Sequence, residues 1–240
     1  MTPPRFHVSE VAPGARLSLP DHSAHHAREV LRLRAGAPVH VFDGRGNEYE
    51  AVLDSVTRGG VGVRVAGAVP ARPESPLRIT LALPPLKGDR MELVIQKATE
   101  LGVVEVRPVV TARTDAVGRP ALLGSRQERW DKVASGAAEQ CGRAVVPEVA
   151  PTSTLSELLR APFDGRRVML SPGSGRPLPG DRPSAVLLLI GPAGGFEPRE
   201  LEDAEQVGFQ PVAFGPRVLR AETAAIAAVA VLQARWGDLS

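Results

Sequence analysis

The 240-residue chain is poor in several things, and each shortage excludes something. It has one cysteine, Cys141, so no internal disulfide forms and a reducing, cytoplasmic setting is expected. Aromatic residues make up 4%, too few for extensive base stacking. Lysine occurs only at Lys87, Lys97 and Lys132, so the positive charge is nearly all arginine. The longest apolar candidate is Ala185–Ile190, far below the roughly 18 residues that cross a bilayer. The opening MTPPRFHVSE carries no apolar stretch of the secretion-signal kind. What remains is 43% hydrophobic and 23% charged, the proportions of a folded soluble protein. Arginine's planar fork suits phosphates and base edges. A formal charge of +2 does not by itself demand a nucleic acid.

The pattern changes along the chain. Pro38–Phe42, Glu48–Leu53 and Gly60–Val65 are short, valine-rich and separated by glycine turns, which predicts strands. A helix is expected over His22–Leu33. The stretch VPARPESP, Val69–Pro76, has three prolines in eight residues and reads as a linker. Domains are therefore expected over 1–70 and 77–240, with the linker at 71–76. In the second part, strands are expected at Leu77–Pro84, Val103–Val109, Val145–Val149, Arg167–Leu170, Ala185–Ile190 and Gln210–Phe214. Helices are expected at Asp89–Gly102 (capped by Asp89), Arg126–Cys141, Pro198–Val207 and Glu222–Trp236. Such alternation predicts an α/β domain around a mostly parallel sheet.

Two glycine loops follow two of these strands. The first is IGPAGGFEPRE, from Ile190. Strand ends of parallel sheets are where ligands bind, and glycine lets backbone approach a ligand closely. The loop has no Lys-Ser or Lys-Thr for a triphosphate and lacks the dinucleotide spacing. A cofactor held by backbone groups, such as S-adenosylmethionine, fits; a plain strand-to-helix turn fits too. The second loop, FGPRVLRAET from Phe214, leads into the alanine-rich TAAIAAVAVLQA. That helix is apolar nearly all round and is expected to be buried. Arg217, Arg220 and Glu222 stand at its start. Adjacent His25 and His26 point apart on a helix and no cysteine pair accompanies them, so no metal site is expected. Cys141 is expected to be an inert thiol, since no histidine lies in its own part of the sequence.

Taken together, the chain resembles the RsmE-type 16S ribosomal RNA (uracil-N3)-methyltransferases of the SPOUT superfamily. The resemblance runs nearly end to end. It rests on IGPAGGFEPRE, FGPRVLRAETAA, PLKGDRMELVIQKATELGV, AAEQCGR, HHAREVLRLRAG and FDGRGNEYEA. It implies a PUA-like RNA-binding β-barrel in front and an α/β domain with a C-terminal trefoil knot behind. It also implies S-adenosylmethionine as cofactor and a homodimer joined through the knot region. The substrate would be N3 of a uridine in the decoding region of small-subunit 16S ribosomal RNA. One position departs from the family's usual GPEGG: Ala193 stands where glutamate is usual. That departure leaves open a non-catalytic RNA-binding or ribosome-assembly protein, or a methyltransferase of another RNA.

The resemblance also suggests roles. Cofactor contacts fall on Leu170, Ile190, Gly191, Pro192, Ala193, Gly194, Gly195, Phe214, Gly215, Val218, Leu219, Arg220 and Thr223. Arg220 or Arg217 would stabilise the uracil anion, with Glu222 orienting an arginine or accepting the proton; a plain salt bridge between Arg220 and Glu222 is the alternative. RNA contacts fall on Arg5, His26, Arg28, Arg32 and Arg34 in front, and on Lys87, Arg90 and Arg143 nearer the cofactor. Arg28 and Arg32, four apart, would share one helical face.

Overall fold

A computed structural model of the chain describes residues 3–114, 124–171, 173 and 177–239. The chain divides into two compact units. One comprises Met1–Glu74 with Ser135–Val146; the other comprises Ser75–Ala134 with Pro147–Ser240. The break after Glu74 falls in the proline-rich stretch. The assignment of 135–146 to the first unit has no such marker, because it begins inside one continuous helix, Gly124–Cys141.

In the first unit, β1 (Arg5–His7), β2 (Arg16–Ser18), β3 (Pro38–Phe42), β4 (Glu48–Thr57) and β5 (Gly60–Val69) form one sheet, in the order β1-β3-β4-β5-β2. β1 and β3 are parallel; the other pairs are antiparallel. Alternation builds the core: Val61, Val63 and Val65 point inward beside Val39, Val41 and Leu53. β4 and β5 run longer than expected, as two arms of one hairpin. β1 and β2 were not anticipated, because three residues are too few to show a period.

The helix expected over His22–Leu33 is shorter. Helix α1 (Asp21–His25) passes into a π-helical turn, His26–Val30. Leu31 donates to the carbonyl of His26 at 2.9 Å, the wider five-residue closure of a π-helix. Arg32 lies beyond it with φ of 52°, left-handed backbone. Arg28 and Arg32 therefore share no helical face.

In the second unit, six parallel strands stand in the order β12-β10-β11-β6-β7-β8. They are β6 (Arg78–Leu83), β7 (Val103–Val110), β8 (Glu148–Val149), β10 (Arg166–Leu170), β11 (Ala185–Ile190) and β12 (Phe209–Val212). A short β9 (Ser153–Thr154) also pairs with β7. The continuous run of β11 follows from burial on both faces. Leu187 and Leu189 face α4 (Leu155–Arg160) and α5 (Pro198–Gln206) in one cluster. On the alternate side, α6 (Ala221–Trp236) touches β6, β11 and α2 (Arg90–Glu100). α4, with its Thr154–Glu157 capping box, was not anticipated. Helix α3 is Gly124–Cys141. Asp89 occupies the N-cap position of α2, but its side chain makes no cap hydrogen bond and instead meets Arg129 at 3.3 Å. Among the described residues, no helix is long and apolar enough to cross a membrane.

Candidate active site

The strand order of the second unit brings five loops to one edge. Those after β10, β11 and β12 line a cavity of about 350 Å³. Those after β6, β7 and β11 line a neighbouring cavity of about 390 Å³, closed by the start of α6. Pro192, Ala193, Gly194 and Ala221 belong to both walls, so the two cavities adjoin.

The first loop is held by backbone. Gly195 N–H donates to the Pro192 carbonyl at 2.9 Å, closing a turn over Ala193 and Gly194. Gly195 has φ of 70° and Gly215 of the second loop 79°, conformations that glycine enters freely. At Gly191 the constraint is space: a Cβ there would meet the Phe196 ring at 2.9 Å.

The larger part of the expected cofactor set is gathered around the first cavity. Leu170, Ile190, Gly191, Pro192, Ala193, Gly194, Gly195, Phe214, Gly215, Val218 and Leu219 all line it, together with Arg217. Two expected contacts do not. Arg220 lines the neighbouring cavity instead. Thr223 is exposed and borders neither. Helical spacing explains this: Ala221 and Ala224 share the inner face of α6, and Thr223 lies well round from it. Sequence reasoning missed Ser171, Phe196, Leu201, Ala213, Ala221 and Ala224. The two alanines were legible as small residues in a buried helix; the others carried no signal.

The neighbouring cavity collects charge. Lys87, Arg90, Arg113 and Arg220 surround it, with Glu222 as the anion. Glu222 pairs with Arg90 at 3.8 Å rather than with Arg220. Arg220 sits at the N-cap of α6, exposed, and its side chain makes no hydrogen bond or ion pair among the described residues. Arg113, unanticipated, donates to the Gly194 carbonyl at 2.9 Å.

A model of the RNA methyltransferase domain matches residues 73–233, and one of the RNA methyltransferase PUA domain matches 19–65. The chain belongs to the RNA methyltransferase family. A relative from Buchnera aphidicola (subspecies Schizaphis graminum), named ribosomal RNA small subunit methyltransferase E, is 30% identical over 228 residues, covering 93% of this chain and 92% of its own. The like-named Neisseria gonorrhoeae enzyme, solved bound to S-adenosyl methionine, is 35% identical with a TM-score of 0.90, covering 99% and 100% of the two chains. A Legionella pneumophila protein solved with bound SAM is 37% identical with a TM-score of 0.93, each chain covered fully.

Two of the arginines expected to touch RNA are engaged inside the first unit. Arg5 forks onto Glu48 with two hydrogen bonds of 2.9 Å, and its third nitrogen donates to the Ala138 carbonyl at 3.1 Å. Only 9% of its side chain is exposed, so a phosphate cannot compete for it. Arg143 holds Glu74 through Nε at 3.0 Å, and it lies in the first unit rather than among the glycine loops of the second. Arg28 is partly spent on Glu29 and the Thr57 carbonyl. His26, Arg32 and Arg34 are exposed. Lys87 and Arg90 line the charged cavity of the second unit. Cys141 belongs to the first unit, which holds all five histidines, so the reason given for its inertness does not stand.

Proposed function

We propose that this chain methylates N3 of a uridine in small-subunit ribosomal RNA, using S-adenosylmethionine. The observation that carries the reading is the shared wall of Pro192–Gly194 and Ala221 between an apolar cavity and a cationic one. A methyl donor and a nucleotide acceptor need that adjacency, since in-line positioning supplies much of the rate. The first cavity suits the cofactor: Ile190, Leu219 and Ala224 offer apolar surface, and peptide groups of the two glycine loops offer polar contacts without a phosphate-gripping lysine. Ala193 fits such a backbone-held loop, which needs no carboxylate there.

When bound, S-adenosylmethionine supplies an electrophilic sulfonium methyl. The protein's own part is to hold the uracil ring in the second cavity and to stabilise negative charge as N3 loses its proton. Arg220, exposed at the N-cap of α6 and bordering that cavity, takes this role, because a guanidinium aimed at developing charge lowers the barrier. Glu222, oriented by Arg90, is the group placed to accept the proton. Arg217, on the rim of the donor cavity, has the secondary role. N3 lies on the pairing edge, so the target base must be unstacked first. Affinity for RNA comes from phosphate contacts of exposed cations, among them Arg32 and Arg34.

The first unit is read as a PUA-like barrel. The C-terminal segment is read as a trefoil knot, because the chain leaves β11, crosses to the far side of β10 as β12, and returns against β6 and β11 as α6. The largely apolar α6, with Val231 40% exposed, supports a homodimer formed through that region. A ribosomal substrate makes the cytoplasm the place of action. Calorimetry with S-adenosylmethionine and mass spectrometry of small-subunit RNA from a deletion strain test the reading. Loss of N3-methyluridine on deletion is expected. Folded protein that binds no cofactor, or a mark that persists, overturns it.

A further inference from the structure

The glycine loop after β11 has no polar side chain of its own from Gly191 to Gly195, yet it must hold one shape for two cavities. Its support comes from the segment after β7. Ala112 N–H donates to Glu200 Oε1 at 2.8 Å, while Glu200 Oε2 accepts from Glu197 N–H at 2.9 Å. One residue on, Arg113 Nη1 donates to the Gly194 carbonyl at 2.9 Å, and its Nε stands 3.9 Å from Glu197. The arginine stem also lies flat on Gly194: a Cβ built there would meet its Cβ and Cδ at 3.5 Å. Arg113 thus borders the acceptor cavity while gripping the wall it shares with the donor cavity.

We propose that Arg113 is a positioning residue that sets the shape of the methyl-donor loop from outside it. The inference rests on the methyltransferase reading above. It acts by fixing the direction of the Gly194 carbonyl, and with it the Gly194–Gly195 peptide, which starts on the wall both cavities share and continues along the first. A guanidinium suits this because its forked donors reach a carbonyl and a carboxylate together.

The test compares wild type, Arg113→Met and Arg113→Lys as full chains. Methionine keeps the stem packed on Gly194 and removes the donors; lysine keeps one donor. Calorimetry reads S-adenosylmethionine affinity, steady-state methylation of small-subunit particles reads KM and kcat, and thermal melts read folding. Arg113→Met is expected to weaken cofactor binding and raise its KM about tenfold, the scale of one charge-assisted hydrogen bond at a half-exposed site, with kcat within about threefold. Arg113→Lys is expected to recover most of that loss. Folded Arg113→Met that binds like wild type overturns the proposal, as does a fall in kcat at unchanged KM. Wild type that binds no cofactor overturns the methyltransferase reading itself.

Discussion

Arg5 and Glu48 meet through two parallel hydrogen bonds of 2.9 Å, and neither side chain is more than a tenth exposed. The Arg5 guanidinium also lies 4.6 Å from the centre of the Phe42 ring. This pair ties β1 and β4 of the first unit to its 135–146 segment, through the carbonyls of Ala138 and Arg143. Arg5→Ala leaves the Glu48 carboxylate buried with His40 as its remaining partner. The expected loss is about 3–5 kcal/mol of stability, the range for breaking a buried pair from one side. Denaturant unfolding measures it; a loss below about 1 kcal/mol, the level of an exposed pair, would reject the structural role.

His7 gives the first unit a pH dependence. Burial pushes its imidazole below the usual value, against opposing contributions from Asp43. Its ring faces the Ser135 hydroxyl, and His22 lies close enough to disfavour its charge. The unfolded chain therefore takes up the proton more readily than the folded one, and stability falls as pH drops below about 6.5. Burial also acts to raise the Glu48 carboxyl, but Arg5 and His40 outweigh it and hold it below the ordinary range, so its own contribution fades only in more acid solution. Melting temperatures at pH 7.5 and 5.5 should differ in wild type and differ less in His7→Asn. Equal slopes in the two proteins would remove His7 as the cause.

On the proposed mechanism, Arg220→Ala should abolish methyl transfer while cofactor affinity stays within about tenfold, because Arg220 borders the cationic cavity and not the apolar one. Single-turnover methylation and calorimetry separate the two effects. A collapse of cofactor binding would move Arg220 to the donor site. Thr223→Ala, on the outer face of α6, should change neither measurement by more than about twofold.

Two neighbouring glycines should respond in opposite ways. Gly191→Ala forces the Phe196 ring to shift, since the new methyl would come within 2.9 Å of it. Overpacking of that kind is worth about 1–3 kcal/mol, and a weakening of cofactor binding by about tenfold is expected. Gly194→Ala meets only ordinary contacts of 3.5 Å and should bind within about twofold of wild type. Similar affinities for the two variants would show that Phe196 does not shape the cavity.

Much of this protein was legible in its sequence. The AVLLLI run predicts a central parallel strand because burial on both faces asks for apolar residues at every position. The two glycine loops marked the lining of the first cavity because positive φ and close approach are properties of the residue type itself. Local chemistry also placed α6, although not which of its faces lines the cavity. Other features depended on distance along the chain. The Arg5–Glu48 bond spans 43 residues and the Arg113–Gly194 bond 81. An arginine in a sequence looks the same whether it waits for a phosphate or closes a buried pair. Only the folded sheet, by bringing β7 and β11 to opposite sides of β6, decided that Arg113 would brace the glycine loop. Composition and periodicity determine which segments become strands, helices and turns; which charges meet is settled when those segments pack.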